Sequence, residues 1–340
     1  MPSELKLFFE QLINGITVGS LYAMIALGYS MVYGVLVMIN FAHGEIYMVG
    51  AYWGSFTLTM LAKAGWLQAE PVGSIILAFL CGALGSALTG ITVERLAYRP
   101  LRKAGRLAPL ISAIGASIAL QELVRLAPKI GNAIINIHFG EFQLFPPAFI
   151  VTVSGWLAAF GGSALRTYPT ILGTGGFTVA GIFITYVRVM IVAMSLLIML
   201  ALNLMVKYTR MGKAMRAVSE SKDTAALMGV DVNQIIQRTF FIGSALAGIA
   251  GVMVGLLYLQ IRVDMGFVPG IKAFTAAVLG GIGSIPGAML GGYVLGLTES
   301  LSVQVLPAVY KDVVAFVILI LCLLFLPNGL LGSRKTTSKL

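Results

Sequence analysis

Charged residues are scarce in this chain. Asp, Glu, Lys and Arg make up 11% of the 340 residues, whereas hydrophobic residues make up 58%. So few charges cannot coat a water-soluble globule. Cysteine and histidine are also rare, with two of each, and Cys81 and Cys322 both lie inside apolar stretches. Because a buried thiol is inert and the spacing forms no metal motif, we expect both cysteines to be unreactive.

Motifs of the common hydrolytic and nucleotide-binding sites are also missing from the sequence. It contains no Gly-x4-Gly-Lys-Ser/Thr phosphate loop, nucleophile elbow, His-Glu-x-x-His pair or cysteine-based metal motif. We therefore expect that this chain is not an enzyme and that it binds no cofactor or metal itself.

The chain is instead a series of continuous apolar runs of about 20 residues, the length at which a helix spans a lipid bilayer. Continuous rather than alternating runs exclude a barrel of strands. The sequence therefore predicts an all-α polytopic membrane protein, a single transmembrane domain over residues 1–340, with about 8–9 transmembrane helices. The predicted helices cover residues 12–36, 46–62, 72–93, 107–127, 186–206, 234–258, 286–304 and 311–327, with a shorter apolar piece at 271–283.

The net charge of +10 comes from basic residues placed between apolar runs, which is the pattern of cytoplasmic loops and not of a nucleic-acid binder. An even number of membrane crossings must separate any two cytoplasmic segments. The piece at 271–283 therefore has to cross the membrane, as a broken pair with 286–304. This count places the C-terminus in the cytoplasm and the N-terminus outside. The basic residues are Arg95, Arg99, Arg102, Lys103 and Arg106; Lys207, Arg210, Lys213, Arg216 and Lys222; and Arg334, Lys335 and Lys339.

Residues 128–185 form the long connection, which the same count places on the outer face. The stretch is rich in Gly, Pro and aromatic residues and has few charges. An alternative is that residues 148–160 and 177–185 form an extra pair of membrane passes, because a pair leaves the count unchanged.

Glycines spaced four apart are frequent in the apolar runs, and small residues at this spacing let helix backbones approach closely in lipid. A second interpretation concerns Ser284 and Pro286, which have the residue types of a helix start. Such a helix start within the membrane can face an anionic substrate group, with Lys272 nearby to add charge. The glycines are Gly251, Gly255, Gly283, Gly287, Gly291, Gly292 and Gly296.

Ionisable residues inside a membrane protein are candidates for a transport pathway. Asn40, His43 and Glu45 lie within six residues of one another, between the first two helices. We place this segment at a membrane surface that water reaches, where capping and packing, gating or a metal site are the alternatives. Glu299 is the deepest of the other charges, and it is a candidate for a buried partner or a pathway residue.

The cytoplasmic segment 207–233 differs from the other loops. A basic stretch containing Arg210 and Gly212 is followed by Asp223–Gly229, where Asp in the first turn and Gly at the end predict a short helix. The apolar face of so short a helix has no core of its own to join. It can therefore dock on a partner or lie on the membrane surface.

Several long motifs resemble the high-affinity branched-chain amino-acid ABC permeases, specifically their H-type subunit. They occur in the family's order and cover almost the whole chain except about residues 128–185, which look longer than the family's usual outer loop. The motifs are Asn14–Ala23, Met38–Glu45, Glu94–Pro100, Lys272–Ala288 and Tyr310–Val314.

This resemblance implies a type II ABC importer fold in the bacterial inner membrane. It implies a heterodimer with an M-type permease, two ATPase subunits that bind ATP and Mg, and a periplasmic amino-acid-binding protein. Ala225, Ala226 and Gly229 look like the family's ATPase-coupling segment. Related permeases carry urea or short amides, which is one alternative. A channel or secondary transporter that works alone is another.

Overall fold

The computed structural model describes residues 3–102, 104, 107–136, 155–157, 159–162, 164–171 and 175–332. Within these ranges the molecule is a bundle of helices. The helices are α1 (Ser3–Leu36), α2 (His43–Lys63), α3 (Trp66–Ala69), α4 (Pro71–Val93), α5 (Leu107–Asn136), α6 (Tyr186–Tyr208), α7 (Arg210–Glu220), α8 (Lys222–Leu227), α9 (Val232–Tyr258), α10 (Phe267–Gly280), α11 (Ile285–Ser302) and α12 (Lys311–Phe325).

Seven helical segments of the described chain are long and apolar enough to cross a membrane. The windows in α1 and α9 are mostly buried inside the bundle, whereas those in α5, α6 and α12 are mostly exposed. Most of the exposed residues of the outer helices are apolar, which suits contact with lipid. The two further helices of 18 residues or more, α2 and α11, pack against this centre.

Close backbone contacts hold the centre together. α11 runs antiparallel to α1, and a Cβ atom added at Gly292 would lie 2.5 Å from Ala23 Cα. α11 also packs against α10, where Gly287 meets the backbone of Gly280 and Gly291 meets that of Ala276. Interfaces this close need residues without large side chains, and in lipid such packing is what drives helix association.

Four short strands complete the described fold. β1 (Arg166–Thr167) pairs antiparallel with β4 (Gln260–Ile261), in the register Arg166↔Ile261 and Thr167↔Gln260. β2 (Gly176–Val179) and β3 (Ile182–Thr185) form an antiparallel hairpin in which Val179 is opposite Ile182. Both turn residues of this hairpin have positive φ, which gives the tight turn that suits the twist of two strands.

Two predictions for the long connection differ from the structure. The alternative membrane pass at residues 177–185 is wrong, because this stretch forms most of the β2–β3 hairpin. Of its proposed partner at 148–160, residues 148–154 and 158 lie outside the described residues. α5 was predicted to end at 127 but continues through Pro128 to Asn136. A proline removes one hydrogen bond from the helix, and the remaining bonds of the long helix persist around it.

The start of α2 also differs from the prediction, which placed this segment at a water-accessible surface. His43, the first residue of α2, is buried against Gly28 of α1. Gly44 meets the backbone of Gly266 and Gly270 at the beginning of α10. The chain between α1 and α2 therefore folds back into the bundle, because glycines at these contacts leave room for it.

The C-terminal ends of α1, α10 and α12 lie together. The backbone N–H groups of Leu330 and Leu331 donate hydrogen bonds to the carbonyl oxygens of Leu279 (2.8 Å) and Gly280 (2.9 Å), which caps α10. The neighbouring turn Gly281–Ser284 approaches Gly34 near the end of α1. The short piece predicted at 271–283 is thus a full helix, α10, that forms an antiparallel hairpin with α11.

Candidate functional site

The segment 207–233 folds into α7 and α8. Each helix begins with a capping hydroxyl, since the side chain of Thr209 accepts a hydrogen bond from the Gly212 N–H (3.1 Å) and that of Ser221 accepts one from the Thr224 N–H (3.2 Å). Gly212 is buried where it meets the backbone of Val206. Its role in the structure is therefore close packing, while Arg210 is exposed.

α8 ends in a glycine turn, as the sequence indicates. Gly229 has a φ of +82°, and the Val230 N–H donates to the Ala225 carbonyl oxygen at 3.0 Å. This six-to-one hydrogen bond with a left-handed glycine is the Schellman arrangement. Asp223 lies in the first turn of the helix.

The end of α8 presents two large apolar side chains to the outside. Leu227 is 87% exposed and Met228 is 80% exposed. Ala225, by contrast, is buried against the bundle, so it anchors the helix and offers no surface to a partner. Ala226 and Gly229 are exposed beside the two apolar side chains.

α8 is tied to the end of α1. The Lys222 ammonium donates to the Leu36 carbonyl oxygen, 3.4 Å away. Partial burial and the nearby Arg102 guanidinium lower the pKa of Lys222 from its ordinary value. This contact links the first residue of α8 to the point where α1 turns toward α2.

A second tie joins the end of α4 to the start of α9. Glu94 is fully buried and forms an ion pair with Arg102. Arg102 Nη1 also donates to Asn233 Oδ1 at 2.7 Å. Burial lowers the pKa of Arg102, while the Glu94 carboxylate opposes this shift. Arg102 thus connects the end of α4 to the start of α9, the helix that follows the segment 207–233.

Asn40 holds the residue that precedes α2 from within the bundle. Its Oδ1 accepts hydrogen bonds from the Ala42 N–H (3.1 Å) and from the Tyr98 hydroxyl (2.9 Å). Tyr98 is itself buried and lies at the end of α4. The α1–α2 connection is therefore fastened to α4 by a buried hydrogen bond.

His43 and Glu45 lie on different sides of the first turn of α2. The His43 ring contacts the Tyr29 ring edge-on, with 4.7 Å between centroids. Glu45 Oε1 accepts hydrogen bonds from Gln121 (2.7 Å) and Ser117 (3.4 Å) of α5. Because their side chains contact different partners, His43 and Glu45 do not form a shared binding site.

Lys272 and Glu299, which the sequence singled out separately, meet in the structure. Lys272 Nζ donates to Glu299 Oε1 at 2.9 Å and lies 2.6 Å from Asp312 Oδ1. The Tyr22 hydroxyl donates to the other Glu299 oxygen at 2.9 Å. This cluster links α1, α10, α11 and α12, and only Asp312 is substantially exposed.

Ser284 caps α11 as predicted, with its hydroxyl accepting a hydrogen bond from the Gly287 N–H at 3.2 Å. The expectation that Lys272 lies beside this helix start is wrong. Lys272 pairs with Glu299 near the opposite end of α11, about 22 Å away at the usual rise of a helix. The start of α11 packs instead against the end of α10.

The predicted glycine contacts occur at six of the seven positions. At each of these, an added Cβ atom would come too close to a neighbouring helix or ring, so the backbone or ring occupies the space of a side chain. The six are Gly251, Gly255, Gly287, Gly291, Gly292 and Gly296. Gly283 differs, because its nearest neighbour would be 3.7 Å away and its φ is +91°. A turn conformation, not close packing, requires glycine there.

Among the described residues, no three His, Cys, Asp or Glu side chains are grouped so that they could hold a metal ion. Tyr22, Tyr98, Gln121 and Asp312 are polar partners that sequence reasoning missed. Nothing in their local sequence marks them, because their partners lie far away along the chain.

Known proteins similar to this chain share most of its length. It is 45% identical over 332 residues to the protein BraD of Pseudomonas aeruginosa, named a high-affinity branched-chain amino acid transport system permease, with 98% of each chain covered. It is 43% identical over 338 residues to the similarly named LivH of Escherichia coli, again with 98% of each covered.

A more distant relative is the probable branched-chain amino acid transport permease LivM of Methanocaldococcus jannaschii. It is 28% identical over 144 residues, which cover 37% of this chain and 41% of LivM. The family model described as branched-chain amino acid transport system, permease component, matches residues 11–323. The buried charges and glycine contacts described above therefore belong to a member of this family of multi-pass membrane permeases.

Proposed function

We propose that this chain is one of two permease subunits of an ATP-driven importer that moves branched-chain amino acids into the cytoplasm. The observation that carries the proposal is the close similarity over 98% of the chain to two permeases named for this transport. That naming favours branched-chain amino acids over urea or short amides. The proposed location is the bacterial inner membrane.

The energy source in this proposal is a pair of partner ATPases that bind ATP and Mg. Leu227 and Met228 support it, because two large exposed apolar side chains at the end of a short polar-flanked helix suit insertion into a groove of a partner. A stand-alone channel or secondary transporter has no partner ATPase to bind this surface.

The second permease would be a homologous M-type subunit, and a periplasmic binding protein would deliver the amino acid. The partial similarity to LivM supports a homologous partner. In this assembly, α8 and its neighbours face the cytoplasm, as do the basic segments and the C-terminus, while the N-terminus is periplasmic. Arg102 and Lys222 support this orientation, since both lie at the end of the bundle where α1 ends.

In the proposed mechanism, closure of the ATPases moves α8, and the bundle transmits this motion. Lys222 holds the end of α1, and the chain that follows leads within four residues to Asn40, which is fixed to α4 by Tyr98. A shift of α8 thereby displaces the buried start of α2 beside Gly266 and α10. Alternating access would follow from this displacement.

The test is uptake of radiolabelled leucine into proteoliposomes. We expect uptake only when the vesicles contain this chain, its partner permease and both ATPases, with ATP inside and the leucine-loaded binding protein outside. The chain alone serves as control, as does a complex with an ATPase that cannot hydrolyse ATP. Leucine uptake by the chain alone would refute the proposal, and so would ATP-driven uptake of urea but not of leucine.

A further inference from the structure

A cavity of about 450 Å³ lies where α9 connects to α10. Its walls come from the end of α9, the strand β4, the beginning of α10 and one residue of the long connection. The lining residues used below are Tyr47, Val254, Arg262, Asp264, Met265 and Val268.

The cavity combines apolar walls with a pair of opposite charges. Val254, Met265 and Val268 supply aliphatic and thioether surface. Arg262 and Asp264 lie at the same cavity, with Arg262 Nη2 2.5 Å from Asp264 Oδ2. Their side chains are 62% and 54% exposed, so both charges are accessible from outside the protein.

The position of the cavity suits a transport pathway. α9 begins at Val232, in the last residues of the segment 207–233, and the cavity lies at its other end, about 40 Å away for a helix of this length. The floor of the cavity includes Tyr47, which lies one turn into α2. The cavity thus lies at the end of the bundle opposite α8 and contacts α2 one turn after its buried start.

We propose that this cavity is a transient binding site for a zwitterionic amino acid with an aliphatic side chain. Asp264 binds the α-ammonium group, Arg262 binds the α-carboxylate, and the side chain packs on Val254, Met265 and Val268. The proposal rests on the proposed function, because it assumes that such an amino acid is delivered to this end of the protein.

The chemistry of the pair fits this ligand. An exposed ion pair contributes little to stability, so the two side chains can separate and each take an opposite charge of the ligand at low cost. Arginine binds a carboxylate through two parallel N–H groups, which fixes its orientation. A 450 Å³ cavity has room for one leucine with water around it, which suits brief binding and release.

The first experiment uses the complete transporter in proteoliposomes with saturating leucine-loaded binding protein. Arg262→Gln and Asp264→Asn should each lower leucine uptake roughly tenfold, the usual effect of losing one charge-assisted hydrogen bond. ATP hydrolysis should stay near the wild-type rate, so that more ATP is used per leucine. Arg262→Lys should retain part of the uptake because it keeps the charge.

Arg125→Gln is the matched control, since Arg125 is also an exposed arginine paired with a neighbouring acid, Glu122, at 2.7 Å. It should leave uptake unchanged. Equal loss of uptake and ATP hydrolysis in an Arg262→Gln complex that is recovered in normal yield would overturn the binding site, because Arg262 would then serve ATPase coupling and not ligand binding. Unchanged uptake in both Arg262→Gln and Asp264→Asn would overturn it as well.

The second experiment uses a photoactivatable diazirine analogue of leucine carried by the binding protein. In the wild-type complex the analogue should crosslink within residues 254–268, and Val268→Trp, which fills the cavity, should remove the crosslink. Crosslinks confined to other helices would refute the site while leaving the proposed function intact. Absence of any ATP-driven leucine uptake by the wild-type complex would overturn both.

Discussion

Lys272 lies in a largely buried cluster of charged and polar side chains from four helices. Its ammonium lies between the carboxylates of Glu299 and Asp312, and Tyr22 hydrogen-bonds the same glutamate. Moving an ion out of water is costly, and a partner repays this only while both members are present. The cluster therefore acts as a unit that fixes four helices relative to one another.

Lys272→Met should lower the free energy of unfolding by about 3–5 kcal/mol, because it leaves Glu299 buried without its cation. The double variant Lys272→Met with Glu299→Met should recover most of the loss. Thermal unfolding in detergent measures the stability of the single and the double variant. Lys6→Met removes an exposed pair with Glu10 and should change the stability by less than about 1 kcal/mol. A single Lys272 variant as stable as wild type would contradict the buried-pair argument.

Leu227 projects outward from the end of α8. Its side chain contributes nothing to the core because it is almost fully exposed. Leu227→Asp should therefore leave membrane insertion and stability unchanged but weaken copurification of the ATPases, since it places a charge in an apolar contact. Val309→Asp is the control, an equally exposed apolar residue beside the start of α12. Equal ATPase recovery from both variants would argue against docking at α8.

At the scale of elements, the α10–α11 hairpin depends on the absence of side chains. Gly287 and Gly291 meet the backbone of α10, so the two helices are closer than most residues permit. The hairpin turn is held further by Leu330 and Leu331, which cap the end of α10. Separating α10 from α11 would break the glycine contacts and disturb the hydrogen bonds that cap α10.

Gly287→Leu should destabilise the protein by about 1–3 kcal/mol, as expected when a side chain is forced into a packed interface. Gly115→Leu is the control, because a Cβ atom at Gly115 has no neighbour within 4 Å. The midpoint of thermal unfolding in detergent distinguishes the two. Similar midpoints for Gly287→Leu and wild type would disprove the close contact.

At the scale of the whole molecule, one end of the bundle carries α8, the end of α1 and the turn before α11, and the opposite end carries the α9–α10 connection. The proposed orientation puts the first end in the cytoplasm. It follows from the positions of basic residues and from the number of crossings.

Thiol labelling measures this orientation in a protein whose Cys81 and Cys322 are replaced by serine. Met228→Cys and Val305→Cys provide the test positions, because both side chains are highly exposed. A membrane-impermeant maleimide added to right-side-out vesicles should label Val305→Cys at once and Met228→Cys only after permeabilisation. The reverse pattern would invert the topology.

Most helix positions were predictable from sequence because a hydrophobic run of sufficient length has few other options in lipid. The start of α11 at Ser284 and the end of α8 at Gly229 were also predictable, because helix capping depends on nearby residues. The extension of α5 past Pro128 was missed, because proline weakens a helix locally while its neighbours decide whether it continues.

The partners of Glu299, Asn40 and Glu45 were not predictable in the same way. Tyr22 is separated from Glu299 by 277 positions, and Gln121 from Glu45 by 76. No local pattern encodes such a pairing. Likewise, the buried start of α2 depends on the close approach of Gly28, Gly44 and Gly266 from three separate elements.

The sequence by itself determined that this protein is a helical membrane permease, where most of its helices lie and which segment projects from them as a short helix. These features depend on hydrophobic length, charge position and capping, all of which act over a few residues. Only the tertiary structure decided which charges pair, where α2 begins and where a cavity opens beside Arg262 and Asp264. The reason is that distant side chains meet only after the helices have packed, and burial then fixes which contacts persist.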